Sequence, residues 1–108
     1  MSVRPKYWLL EGKKLVPTTM LRWAHWMETG ERLLWKTGND EIMVSTIFLG
    51  LDHSPFPYGP PLVFETMIFG GEHDKEEWRY STWDEAEAGH QEAVRLAFPA
   101  LAKETTHD

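Results

Sequence analysis

The pattern of apolar and polar residues in the middle of the chain predicts a β-hairpin. Two apolar runs, Ser45–Leu49 and Leu62–Phe69, have the length of strands and contain β-branched and aromatic residues. Four of the chain's seven prolines lie between them, so we expect the connecting loop, Leu51–Pro60, to be stiff. The two runs are therefore predicted to pair antiparallel across this loop.

The register of this hairpin follows if the loop centres near Phe56. Thr46 then lies opposite Thr66, and Ile47 lies opposite Glu65. Alternation with period two separates the side chains into two faces. The predicted core face carries Ile42, Val44, Phe48, Leu62, Phe64 and Ile68. The other face is apolar but interrupted by an acid and a hydroxyl, and it carries Met43, Ser45, Ile47, Glu65, Met67 and Phe69.

The segments on either side of the hairpin also favour strands. "KYWLLEGKKLVP" indicates two short extended pieces with a turn at Gly12. "RLLWKTGND" predicts a strand that turns at Gly38-Asn39-Asp40 into the first apolar run. "WRYS" is typical of a brief strand.

Two further segments have the spacing of amphipathic helices. In "PTTMLRWAHWMETG", large apolar residues recur every three or four positions from Met20, and Thr18 or Thr19 can cap the first amides. Gly30 is expected to end this helix in the left-handed conformation. In "TWDEAEAGHQEAVRLAF", a threonine followed by glutamate three residues later forms a capping box, and Pro99 ends the helix.

The element order is therefore β-β-α-β-β-β-β-α, which predicts an α+β fold with a mostly antiparallel sheet and two helices packed on it. With 108 residues the chain is expected to be one compact domain, able to bury about 60–70% of its unfolded surface. Residues 1–5 and 100–108 are expected to be flexible ends.

Composition limits the function classes. The chain has no cysteine, which excludes disulfides, thiolate catalysis and Cys-ligated zinc. Its net charge is −6 and its basic residues are scattered, so no nucleic-acid partner is expected. An acidic DNA mimic would need denser rows of carboxylates. No stretch has the character of a signal peptide or a membrane span, so we expect a cytoplasmic protein with no membrane partner.

Glu65 is the most informative candidate for a site, because it interrupts an apolar strand. One interpretation is a solvent-facing or salt-bridged strand residue. The other is a carboxylate that faces a ligand and is held by Arg79, the nearest cation on the "WRY" strand. Either interpretation predicts a partner, since an unpaired buried carboxylate costs several kcal/mol or takes up a proton.

Other candidates surround this acid. Asp52 and His53 follow a strand exit, where they either face a pocket mouth or form an Asx-type turn with an exposed histidine. His90 lies on the apolar stripe of the second helix, as a ligand contact or as a hydrogen-bonded core residue. Ser45, Trp35 and Tyr58 complete the predicted ligand-binding set.

Dedicated catalytic and metal motifs are absent. The histidines lack a short ligand spacing, Ser45 lacks the glycine context of a nucleophile elbow, and no Gly-rich phosphate loop occurs. We therefore expect neither a metal nor a cofactor. Six tryptophans are many for a chain of this size, and at least two are expected at a subunit interface or ligand pocket of a homodimer or higher oligomer.

Three motifs in order, "VSTIFLGLDH", "PLVFETMIFGG" and "RYSTWDEAEAGH", with "WAHWMETGE" upstream, carry a resemblance. From about Trp23 to Val94 the chain resembles a widespread family of short proteins encoded by tailed bacteriophages and prophages. The resemblance implies a phage accessory protein acting in the cytoplasm of a bacterial host. It assigns no catalytic residue.

The leading functional hypothesis is a non-enzymatic, homo-oligomeric binding module that sequesters a small nucleotide-type ligand, such as a host immune signal, and so serves anti-defence. The first alternative is an enzyme that uses Glu65, Asp52 or His90 as acid or base on such a ligand. The second is a module that binds another protein through a tryptophan-rich face.

Overall fold

The computed structural model describes residues 4–99 and confirms the α+β fold and the predicted element order. Of the two ends that were expected to be flexible, residues 1–5 and 100–108, the structure describes only residues 4 and 5. The elements are β1 (Tyr7–Glu11), β2 (Lys14–Thr18), α1 (Met20–Thr29), β3 (Leu33–Gly38), β4 (Met43–Phe48), β5 (Phe64–Phe69), β6 (Glu77–Tyr80) and α2 (Trp83–Ala97).

The strands form two antiparallel sheets rather than the one that was expected. β1 and β2 make a separate hairpin, and the larger sheet has the order β3-β4-β5-β6. Each strand of the larger sheet pairs with its neighbour in the chain, as short connections favour. The predicted register is confirmed, with Thr46 opposite Thr66 and Ile47 opposite Glu65.

The face of the larger sheet that packs against α2 is the core, and we call it the inner face. Val44, Phe48, Phe64 and Ile68 are fully buried there, as predicted. Leu62 and Ile42 were also expected in the core but are only partly buried. Both precede a strand, where alternation does not apply, and Val63 is buried beside Phe64 instead.

Small residues let α2 lie close to the inner face. Ala86 and Ala93 are buried against the sheet. A Cβ atom at Gly89 would overlap the ring and hydroxyl of Tyr80, so only glycine fits this approach. The Tyr80 ring, which lies against Gly89, packs on the core at the β6 edge of the sheet.

The predicted capping box begins α2. The Thr82 side chain accepts a hydrogen bond from the Glu85 N–H, and the Glu85 carboxylate accepts one from the Thr82 N–H, each at 3.1 Å. The helix ends at Ala97, two residues before Pro99. Within residues 4–99, no helix has the length and apolar character needed to cross a membrane.

Helix α1 packs mainly on the β1–β2 hairpin, and Trp26 extends from it to meet the Phe48 ring edge-on at 5.3 Å. Thr19 is its N-cap. The expected left-handed end is wrong, because Gly30 has a φ of −88°. Glycine is needed there for a different reason, since the Trp26 indole occupies the space that a Cβ atom would take.

Candidate functional site

The predicted ligand-binding residues lie in three separate places. Asp52, His53 and Tyr58 are on the loop between β4 and β5. Ser45, Glu65 and Arg79 are on the face of the larger sheet away from α2, which we call the outer face. Trp35 and His90 belong to the inner face and α2. The sequence prediction grouped them, but strand alternation separates them, so they do not line one cavity.

Asp52 ties both ends of the loop together. Its Oδ1 accepts hydrogen bonds from the N–H groups of Ser54 at 2.8 Å and Leu62 at 3.0 Å, which is the Asx-type turn considered above. Its Oδ2 accepts from Nε of Arg4 at 2.5 Å. Burial alone would raise the pKa of Asp52, but these donors together outweigh it and hold the pKa below the ordinary value.

Arg4 spans the loop from the other side. Its Nη1 donates to the Gly59 carbonyl at 2.8 Å, and its Nη2 donates to the Phe56 carbonyl at 2.6 Å. One guanidinium therefore holds three points of the loop. Sequence reasoning missed Arg4, because 48 positions separate it from Asp52 and no local pattern links them.

The tip of the loop presents two aromatic rings to solvent. Phe56 is 69% exposed and Tyr58 is 61% exposed, on a segment whose backbone is fixed by Arg4 and Asp52. Beside Phe56 lies a cavity of about 340 Å³, lined also by Lys6 and Ser54. The loop thus combines an exposed aromatic surface, an ammonium group and a rigid backbone, while His53 is exposed nearby in the chain.

The outer face contains the predicted pair of Glu65 and Arg79. The two residues are direct cross-strand partners, and Nε of Arg79 donates to Oε2 of Glu65 at 3.0 Å. Nη2 of Arg79 also lies 3.6 Å from Oε1 of Glu77. The predicted partner of Glu65 is therefore present, as both interpretations of this residue required. The pair is not deeply buried, since the Arg79 side chain is 35% exposed, so the pair energy belongs to the partly exposed range.

His90 is a hydrogen-bonded core residue. Its Nδ1 lies 2.7 Å from Oγ1 of Thr46, and its Nε2 lies 2.9 Å from Oγ1 of Thr37. The Trp35 ring lies beside it, with centroids 6.0 Å apart. Burial lowers the pKa of His90, because the charged imidazolium is less well solvated there.

The hydroxyl chain continues across the sheet beyond His90. Thr46 and Thr66 share a hydrogen bond of 2.5 Å between their Oγ1 atoms, and both are fully buried. Burial raises the pKa of the neighbouring Tyr80, and a hydrogen bond with Thr66 partly offsets the rise. The predicted register had already placed the two threonines opposite each other, which was the available signal for this network.

Among residues 4–99, no three histidine, aspartate or glutamate side chains are grouped so that they could hold a metal ion.

Comparison of the chain with protein-family models, with curated proteins and with solved structures found no match. The geometry of the chain's own residues therefore carries the functional argument.

Proposed function

We propose that the chain is a non-enzymatic binding module for a small nucleotide-type ligand, which it holds at the loop between β4 and β5. The observation that carries this proposal is the exposure of Phe56 and Tyr58 on a loop that Arg4 and Asp52 fix. Large exposed aromatic rings on a rigid polar loop are typical of ligand-binding surfaces.

The chemistry of the loop suits a nucleotide. A base can stack on an exposed aromatic ring, which contributes about 1–3 kcal/mol per base. The Lys6 ammonium lines the adjacent cavity and can attract a phosphate, whereas the charge of Arg4 is already matched by Asp52. Because the loop is fixed before the ligand arrives, binding does not have to order it.

A binding role fits these residues better than acid–base catalysis. Asp52 accepts three hydrogen bonds, Glu65 is paired with Arg79, and both ring nitrogens of His90 are bonded to threonines. Each of the three candidate acids or bases is therefore engaged in a structural contact. An ordinary general base must instead reach the proton that it takes up.

The motif resemblance supplies the biological setting of the proposal. In the cytoplasm of a bacterial host, a phage accessory protein of this kind would sequester a nucleotide that serves as an immune signal. It would act as a homo-oligomer and return the ligand unchanged.

The test uses calorimetric titration of the full chain with adenosine monophosphate, ADP-ribose and a cyclic dinucleotide. A doubly substituted chain, Phe56→Ala with Tyr58→Ala, should bind the preferred probe roughly 5- to 150-fold more weakly, which corresponds to one stacked base. Leu21→Ala is the matched control, since Leu21 is also exposed but lies on α1.

Chromatography of the small molecules after heat denaturation separates binding from catalysis. The proposal expects the probe to return intact. Failure of all three probes to bind, equal binding by the double variant, or recovery of a product would each contradict it.

One observation favours a second candidate, a protein-interaction module. Helix α1 exposes Met20 and Leu21, and a largely apolar hollow of about 420 Å³ lies between the helix and Leu9 of β1. Trp26 lines this hollow. If a host or virion protein binds there, Leu21→Asp should abolish the complex and leave nucleotide binding unchanged.

A further inference from the structure

We infer that the outer face of the larger sheet is the contact with a second copy of this chain, related by a two-fold axis that runs along the strands. In this arrangement Lys36 of one copy faces Glu77 of the other. The inference rests on the self-association that the proposed function includes.

The strand register arranges the outer face in rows. In the first row, Leu33, Ile47, Glu65 and Arg79 are successive cross-strand partners. In the second row, the partners are Lys36, Ser45, Met67 and Glu77. In the third row, Met43 pairs with Phe69 across β4 and β5, and Gly38 continues the row on β3.

This face is left open by the rest of the described chain. Within residues 4–99, α2 packs on the inner face, and α1 reaches the sheet at Phe48, which is also an inner residue. On the outer face, Phe69 is 42% exposed and Leu33 is 49% exposed. A sheet face with exposed apolar residues that no layer of the same chain covers is stabilised by burial against another layer.

The distribution of charge indicates that a second copy can supply that layer. Lys36 lies at one edge of the second row and Glu77 lies at the other edge. A two-fold axis that runs along the strands and lies in the interface, over the centre of the sheet, places β3 of one copy over β6 of the other and keeps the rows in register. Lys36 then meets Glu77 twice, once on each side of the interface.

A two-fold axis that lies in the same interface but runs across the strands would bring like charges together. It places Lys36 near Lys36 of the second copy and Glu77 near Glu77, so like charges meet at both edges. Packed sheets cross at about 30°, which displaces facing edge residues by a few ångströms. Lysine and glutamate side chains are long enough to span that displacement.

The remaining outer residues are compatible with the same arrangement. The axis places Met43 against Phe69 of the second copy, a sulfur–aromatic contact that also occurs twice. Within one copy Arg79 lies between Glu65 and Glu77, so these three side chains together carry one negative charge, which Lys36 of the second copy balances. The face is therefore self-complementary in both its apolar and its charged positions.

The test is charge reversal followed by sedimentation equilibrium of the full chain over a range of concentrations. Lys36→Glu and Glu77→Lys should each raise the dimer dissociation constant about tenfold or more, because symmetry turns two attractive pairs into two repulsive pairs. An equal mixture of the two variants should restore association, since each mixed dimer regains two opposite-charge pairs.

Lys14→Glu and Glu87→Lys are the matched controls, because both residues are exposed, lie away from the outer face and give the same changes in net charge. Phe69→Ala should also weaken the dimer, and circular dichroism shows whether it remains folded. A wild-type chain that stays monomeric, reversals that behave like the controls, or a mixture that stays dissociated would each overturn the inference. Nucleotide titration of the same variants reports separately on the loop.

Discussion

The two faces of β4 and β5 are made by alternate residues of the same strands, yet they differ in burial and in the kind of polar group that they carry. On the inner face, Val44, Phe48 and Phe64 are fully buried beneath α2. On the outer face, Phe69 remains 42% exposed at the end of β5. The inner residues are therefore constrained by packing within the chain, whereas the outer residues can be selected for contact with a partner.

The polar groups of the two faces differ in the same way. The inner face uses neutral groups, Thr46, Thr66 and His90, which are linked to one another by hydrogen bonds. The outer face uses charges, Glu65 with Arg79, which water still reaches. Burying charge costs far more than burying a hydrogen-bonded hydroxyl, so each kind of group lies on the face where its environment stabilises it.

The largest expected contrast is between two phenylalanines of one strand. Phe64→Ala removes a fully buried ring and should lower the free energy of unfolding by about 3–5 kcal/mol, because it leaves a cavity as well as losing apolar burial. Urea unfolding followed by tryptophan fluorescence measures this. If Phe64→Ala proves too unstable to purify, Phe64→Leu provides a smaller loss in the same direction.

Phe69→Ala is the control for this contrast, and it should cost less than about 1 kcal/mol in the dissociated chain, since much of the ring is already in water. A loss at Phe69 as large as at Phe64, measured at low protein concentration, would show that the outer face is closed by the chain itself.

The second prediction concerns the pH dependence of stability that His90 introduces. Its pKa in the folded chain is below the ordinary value of 6.5, so the unfolded chain binds a proton first as the pH falls. The stabilisation is complete above pH 6.5 and is lost as the pH falls below it, by about 1.4 kcal/mol for each unit of pKa lowering. Thermal unfolding measured between about pH 8 and pH 5, the range in which histidine titrates, records this loss of stability.

His90→Gln should flatten that pH dependence, whereas His25→Gln, at an exposed position of α1, should leave it unchanged. Asp52 affects stability in a more acidic pH range. Its pKa is lowered in the folded chain, so the stability that it contributes is lost only as the pH falls below 3.8, the ordinary pKa of aspartate. A His90→Gln chain with the wild-type slope would mean that the buried imidazole does not carry the effect.

The fold was predictable to the extent that local patterns determine it. The hairpin register followed from alternation and loop length, and the cap at Thr82 followed from the spacing to Glu85. The separation of β1 and β2 into their own sheet did not follow, because no local pattern shows which sheet a strand joins. A short stretch of sequence carries no pattern that reveals how two sheets pack together.

The candidate site was only partly predictable for the same reason. The pairing of Glu65 with Arg79 joins neighbouring strands, and it was predicted because Arg79 is the nearest cation on the short strand that follows. Arg4 holds the loop across a long sequence separation, and nothing near Asp52 indicates it. Trp35 was grouped with the other predicted ligand-binding residues, although its position opposite Thr46 assigns it to the inner face.

The smallest expected effect is the coupling between Glu65 and Arg79, and it is also the most sensitive to what covers the outer face. In a double-mutant cycle with Glu65→Gln and Arg79→Gln, the dissociated chain should show a coupling of about 0.2–1 kcal/mol, as expected for a partly exposed pair. Urea unfolding at several salt concentrations measures it, and high salt should weaken it.

The pair of Glu92 and Arg95 on α2 is the control for this cycle, because its side chains are 73% and 55% exposed and its coupling should be smaller still. The decisive comparison is between the coupling measured at low protein concentration and the coupling measured at high protein concentration. If a second copy covers the outer face, water is removed from around Glu65 and Arg79, and their coupling should increase as the dimer forms. The coupling of the control pair should not change, because α2 lies on the other side of the sheet. A coupling at Glu65 and Arg79 that is equal in monomer and dimer would place the interface elsewhere.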